Sequence, residues 1–153
     1  MASKNNRRLA KELTEIKSQG CPVGIEILQA DDLETWIFTI EVLGESQYKS
    51  ERFALKFRFD GSYPFSAPAV QFVSDNKWKP PIHPHVYTNG HICASILGNE
   101  WSPVLSVIAV CVTMQSMLAS CRKKELPPDN DRYVRTAPDN PKKTTFVYHD
   151  DDV

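Results

Sequence analysis

The sequence predicts one α+β domain, with an N-terminal helix and a long apolar helix packed on a four-stranded antiparallel meander. Three observations carry this: an amphipathic helical pattern at the start, four strand-like runs joined by links too short for crossovers, and one apolar run of helical length after a proline-rich loop. At 153 residues the chain suits a single core that needs neither disulfide nor metal to hold it.

The elements follow in order. "NRRLAKELTEIKSQG" sets Leu9, Leu13 and Ile16 at helical spacing, with charges opposite and Gly20 placed to end the helix. Strands are expected at 24–30 ("GIEILQA"), 35–42 ("TWIFTIEV"), 52–59 ("RFALKFRF") and 69–74 ("AVQFVS"). The third alternates clearly, with Leu55, Phe57 and Phe59 on one side and Lys56 and Arg58 on the other. Residues 60–84 carry "DGSYPFSAP" and "KWKPPIHP", five prolines in all, so rigid extended loops should flank the fourth strand. "WSPVLSVIAVCVTMQSMLAS" reads as the core helix, with Ser102 as its N-cap and Pro103 at its first position. A short helix is expected over "DRYVRTA", and Pro138 and Pro141 prevent its extension. The domain is therefore drawn over 1–137, with 138–153 as a tail expected to be mobile or to dock as an extended segment.

Composition narrows the function classes. Eighteen basic residues against 19 acidic ones give a net charge near −1, which does not favour a nucleic-acid partner. No run is long and apolar enough for a membrane span, and "MASKNNRRLAKEL" lacks the apolar centre of a signal peptide. The chain is thus expected inside the cell, cytoplasmic and/or nuclear, where Cys21, Cys93, Cys111 and Cys121 would stay as thiols. Cys111 and Cys121 sit in or beside the apolar helix and read as core.

Cys93 differs. "IHPHVYTNGHICASIL" places His83, His85, His91 and Cys93 close together, bracketed by Pro84 and the turn pair Asn89-Gly90. Zinc accepts all four side chains, but Pro84 stiffens the backbone between two would-be ligands and no carboxylate lies nearby to orient an imidazole. A protease-like nucleophile would want a paired histidine and an oxyanion helix, and nothing marks one. Metal ligand, nucleophile and core filler stay open at this point.

The motif order "YPFSAPAVQF", "HPH", "NGHICASIL" and "WSP" before an apolar helix resembles the catalytic domain of ubiquitin-conjugating enzymes, over residues from about 5 to 137. The resemblance implies the ubiquitin-conjugating fold, and a thioester with ubiquitin carried on Cys93 after transfer from an activating enzyme. It implies no cofactor in this chain, since ATP is consumed by the activating enzyme. Most members carry His-Pro-Asn where this chain has His85 third, and an aspartate where it has Ser95. Both departures, with the closing "NPKKTTFVYHDDD", resemble the W-type enzymes, which are associated with transfer to the α-amino group of a protein's N-terminus. Such a preference has a physical basis. At pH 7.4 roughly a quarter of α-amines but only ~0.1% of lysines are uncharged, so loss of acidic and amide groups handicaps lysine more.

By the same resemblance, His85 would support the oxyanion or brace the loop, and Asp129 in "PPDND" would orient the acceptor amine. His83, Pro84 and His91 are expected to be structural. Docking of the activating enzyme and of RING or U-box type ligases would use Arg7, Arg8 and Lys11, then Phe65, then Ser102, Pro103 and Val104. Protein substrates with flexible N-termini complete the expected partners. The competing expectations are lysine-directed conjugation, a His/Cys zinc-binding module, and a noncatalytic ubiquitin-binding adaptor. A cysteine at the motif position weighs against the adaptor.

Overall fold

The computed structural model describes residues 6–144. Helix α1 spans Arg7–Gln19; Asn6 caps it by accepting the Leu9 N–H at 2.9 Å. It ends where Gly20 takes φ 78°, a conformation that favours a residue without a side chain. Strands β1 (Ile25–Gln29), β2 (Thr35–Glu41), β3 (Arg52–Arg58) and β4 (Ala69–Phe72) form one antiparallel sheet in sequence order, which is the expected meander. Alternation selects the buried face, since Trp36, Phe38 and Ile40 of β2 pair in register with Phe57, Leu55 and Phe53 of β3. Edge-to-face rings, Phe38 on Phe57 at 5.7 Å and Phe53 on Phe72 at 6.1 Å, fill that face. Helix α2 (Val107–Ala119) covers it with Val107, Val110, Met114 and Leu118. Cys111 and Cys121 are buried, as their apolar surroundings led one to expect. Helix α3 (Asn130–Thr136) and a 3₁₀ turn at Pro141–Lys143 complete the described chain.

One expectation is corrected. The core helix does not begin at Ser102. Ser106 is its cap, accepting the Ala109 N–H at 3.0 Å, while Ser102 to Leu105 form a turn closed by a 2.9 Å bond. The reason lies on another element. Arg8 donates to the carbonyls of Pro103 and Leu105 at 2.6 Å each, and Glu12 accepts the Val107 N–H at 2.8 Å, so the chain is held by α1 before it can coil. These bonds also turn Arg8 inward, while Arg7 and Lys11 remain exposed.

The first residues of the expected tail make contacts with the domain. Arg58 holds the Asp139 carboxylate at 3.0 Å and its carbonyl at 3.1 Å. Pro141 is buried, and Lys142 donates to the Ala67 carbonyl at 2.6 Å and to the Ser66 hydroxyl. The remainder of that expectation, residues 145–153, lies outside the described residues.

Glu12 is 6% exposed and accepts from Val107, from the Tyr63 hydroxyl at 2.6 Å and from Arg8 at 3.0 Å. Glu12→Ala is expected to lower the unfolding free energy by roughly 2–4 kcal/mol, because three donors lose their acceptor in a poorly hydrated place. Urea denaturation measures this, and a loss under about 1 kcal/mol would mean that water replaces the carboxylate without penalty.

Candidate active site

Cys93 lies between a small hairpin and a 3₁₀ turn at Ser95–Leu97. The hairpin pairs Val86 with Ile92 and turns through Asn89-Gly90, where the Gly90 N–H donates to the Tyr87 carbonyl at 2.9 Å. Gly90 sits at φ 94°, and a Cβ there would lie 2.0 Å from the Phe72 carbonyl oxygen, so only glycine lets the hairpin press against β4. The Phe72 N–H to Gly90 carbonyl bond at 2.9 Å records that contact.

His85 fixes the cysteine's main chain at both ends. Its carbonyl accepts the Cys93 N–H at 2.8 Å, and its ring Nδ1–H donates to the Cys93 carbonyl at 2.9 Å. The two functions expected of His85 therefore separate in the geometry, since Nδ1 braces the loop. The Cys93 side chain is left half-buried at the surface. His85 also lines a groove of about 650 Å³, together with Ser95, Glu100, Met114 and Met117. Ser95 is buried and donates to Glu100 Oε1 at 3.0 Å, so a carboxylate stands beside the hydroxyl that replaces the family's aspartate.

The other two histidines are structural. His83 is fully buried, and its Nδ1 accepts the His85 N–H at 2.9 Å, which puts its proton on Nε2. Burial pushes its pKa down to about 4; the nearby His85 adds to this, and the Met117 carbonyl opposes it. His91 accepts the Tyr133 hydroxyl on Nδ1 at 2.7 Å and donates Nε2–H to the Asp139 carbonyl at 3.2 Å. Burial depresses its pKa as well. These bonds occupy both nitrogens of His91 and the Nδ1 of His83. Among the described residues no group of three or more His, Cys, Asp or Glu side chains is arranged to hold an ion.

Facing Cys93 is a wall that the motifs did not announce. Tyr87 stacks on Tyr133 with ring centres 3.9 Å apart, and its hydroxyl bonds the Asp129 carboxylate at 3.1 and 3.3 Å. Both rings border the hairpin that leads into Cys93, Tyr87 by its backbone bond to His91 at 2.9 Å and Tyr133 by its hydroxyl bond to the His91 ring. Burial first, and the Asp129 contact next, push the Tyr87 hydroxyl well above the usual tyrosine range. It is therefore a neutral hydroxyl at physiological pH. Asp129 was named from sequence, whereas Tyr87 and Tyr133 were missed, since an aromatic residue at strand or helix spacing usually reports only core. Asn130 ties the wall to the hairpin, accepting the Thr88 N–H at 3.0 Å.

The expected docking residues converge elsewhere. Phe65 is 82% and Val104 85% exposed, so Phe65 is not packed under its own loop. Trp101 joins their loops by donating to the Pro64 carbonyl at 2.8 Å. Arg8 adds α1 to the same surface, where Pro103 is exposed and Ser102 half-buried.

Linkage gives a test of the histidine assignment. With a folded pKa of about 4 for His83 against about 6.5 unfolded, the unfolded chain takes up the proton first as pH falls. His83 thus contributes full stability above pH ~6.5 and loses about 3 kcal/mol as pH falls toward 4. Thermal melts across that range should show the decline, and His83→Asn, whose amide oxygen can stand in for Nδ1, should make it shallower. An unchanged slope would mean that His83 is already charged in the fold.

Comparison with known proteins agrees with this geometry. Residues 8–148 match the family described as "Ubiquitin-conjugating enzyme". The chain is 45% identical to "Probable ubiquitin-conjugating enzyme E2 W-A" of Danio rerio over 148 residues, 95% of each chain. It is 42% identical to "Ubiquitin-conjugating enzyme E2 W" of Caenorhabditis elegans, with both chains covered in full. Among solved structures, the ubiquitin conjugating enzyme E2 UbcA1 from Agrocybe aegerita superposes with a TM-score of 0.89 at 69% identity, covering 93% of this chain and 100% of that one.

Proposed function

The chain belongs to the ubiquitin-conjugating enzyme family, transferases that work through a cysteine thioester, and from that premise we propose that Cys93 carries the thioester and passes ubiquitin to the N-terminal α-amino group of protein substrates. The observation that carries the first half is the clamp on Cys93. His85 holds the peptide units on both sides of it, which leaves the half-buried side chain as the reactive group of a rigid loop. In charging, the Cys93 sulfur attacks the carbonyl of ubiquitin's thioester on the activating enzyme. A new S–C bond forms, the old one breaks, and the activating enzyme's thiol leaves with a proton. In transfer, the acceptor nitrogen attacks the same carbonyl, an amide forms, the S–C bond breaks, and the amine's proton passes to the sulfur, which departs as the Cys93 thiol. Family membership implies ubiquitin, an activating enzyme and ligases as partners. The surface bearing Phe65 and Val104 is the proposed seat of the activating enzyme and of RING or U-box type ligases.

Support for the α-amine comes from the same site. Nδ1 of His85 is occupied by the Cys93 carbonyl, the Ser95 hydroxyl is tied to Glu100, and Tyr87 and Asp129 form a hydrogen-bonded pair that can orient an amine. An α-amine with a pKa near 7.8 needs little help to be neutral. The relatives named E2 W share this chain's length and much of its sequence.

Two outcomes test the proposal. Mixed with activating enzyme, ubiquitin and ATP, the chain should give a reductant-sensitive band on a nonreducing gel, absent in Cys93→Ala and kept in Cys111→Ala. A persistent band in Cys93→Ala would place the thioester elsewhere. The charged enzyme should then discharge onto a peptide with an unblocked N-terminus and spare the same peptide once N-acetylated, even with lysines present. Transfer to the acetylated peptide would instead favour lysine-directed conjugation.

A further inference from the structure

We propose that Tyr133 is a positioning residue for ubiquitin transfer: stacked on Tyr87 and held by His91, it fixes the Tyr87 hydroxyl and its Asp129 partner on the acceptor side of Cys93. The inference rests on the reading of Cys93 as the thioester cysteine and adds a residue that acts through another.

Tyr87 is the group to be held in line, and it is buried. It sits in a hairpin tip, and its hydroxyl reaches across to Asp129, which precedes α3. A ring so placed needs something behind it to keep its hydroxyl in line. Tyr133, one turn into α3, supplies that backing, with ring centres 3.9 Å apart and planes 21° from parallel. Tyr133 is oriented in turn. Its hydroxyl donates to His91 Nδ1 at 2.7 Å, and the His91 ring meets it edge-on at 5.7 Å. His91 is fixed at its far side by the Asp139 carbonyl at 3.2 Å, and Arg58 holds that carbonyl and the Asp139 carboxylate. Thr144 also bonds the Tyr133 side chain. The C-terminal strap, residues 138–144, thus backs the wall that faces the thiol.

A merely structural Tyr133 would pack α3 on the domain and do nothing specific to transfer. The two roles differ in how they combine with Tyr87. If Tyr133 acts by aiming the Tyr87 hydroxyl, removing that hydroxyl removes most of what Tyr133 contributes to rate.

The test uses full-length chain, ubiquitin, activating enzyme and a peptide with an unblocked N-terminus. Charging is measured first, then single-turnover discharge over a range of peptide concentrations. Tyr133→Ala should charge like wild type and discharge about 10-fold more slowly at saturation, with the half-saturating peptide concentration unchanged. Tyr133→Phe keeps the stack without the His91 bond and should fall between the two. In a Tyr87→Phe background, itself slower, adding Tyr133→Ala should cost less than about 2-fold. The proposal is overturned if Tyr133→Ala discharges at the wild-type rate, if its loss is the same in both backgrounds, or if only peptide binding weakens. Should Tyr133→Ala fail to fold in a thermal melt, Tyr133→Phe in the two backgrounds decides by the same non-additivity. Failure of the wild-type chain to charge would strike the Cys93 reading instead, and is seen before any discharge is measured.

Discussion

A single buried carboxylate organises this molecule. Glu12 lies on the inner face of α1, where the sequence pattern would put an apolar residue, and it accepts bonds from three separate parts of the chain. The Val107 N–H it receives opens α2, and the partial positive charge at a helix N-terminus suits an anion there. Tyr63 brings the proline-rich loop to the same carboxylate, and Arg8 both pairs with it and reaches the carbonyls of Pro103 and Leu105. The consequence is mechanical. The first helix, the loop bearing Phe65 and the loop bearing Val104 are joined through buried polar bonds, so two large apolar side chains can stand in solvent on a surface that does not collapse over them. Exposed aromatic and aliphatic groups on rigid supports are what a protein partner can use without first having to order them.

The cysteine loop obeys a second constraint of the same kind. It carries little regular structure, so its backbone groups must find partners one by one. Gly90 lets the hairpin approach Phe72, His83 caps the His85 N–H, and His85 closes a ring around Cys93 with its carbonyl and its imidazole. This explains how the chain tolerates histidine where the family commonly has asparagine. A donor is needed toward the Cys93 carbonyl, and an imidazole Nδ1–H meets that need from a longer side chain.

Much of this fold was legible because local patterns carried it. Alternation on β3, helical spacing of Leu9 and Ile16, and short links between strands all report on neighbours close in sequence, and each matched the structure within a residue or two at most ends. The signals that failed were those settled at long range. Ser102 and Ser106 are equally good caps by local chemistry, and the choice fell to Ser106 because Arg8 and Glu12 hold the intervening carbonyls and amide, about 95 residues away in sequence. Residues 138–144 look like a loose tail because prolines and lysines dominate them, yet Arg58, Ala67 and Ser66 supply partners that no local reading can see. In the candidate site, the motif pointed to Cys93, His85 and Asp129, while Tyr87 and Tyr133 carry no signature beyond being aromatic.

The wall facing Cys93 also bears on why an α-amine is the acceptor proposed. Tyr87 holds its proton tightly, since burial and the neighbouring carboxylate both disfavour a phenolate, so its hydroxyl can donate to Asp129 and accept from an amine but cannot remove a proton. Asp129 accepts from that hydroxyl and has further acceptor capacity toward an approaching amine. Such a pair fixes direction more than it moves protons. For lysine, orientation alone leaves nearly the whole cost of deprotonation in place, about 4 kcal/mol at neutral pH. For an α-amine the same cost is below about 1 kcal/mol, so orientation supplies most of what remains. On this reasoning acceptor choice does not require a pocket that recognises a particular N-terminal residue. On the proposed reading it rests on how the amine is aligned beside Cys93.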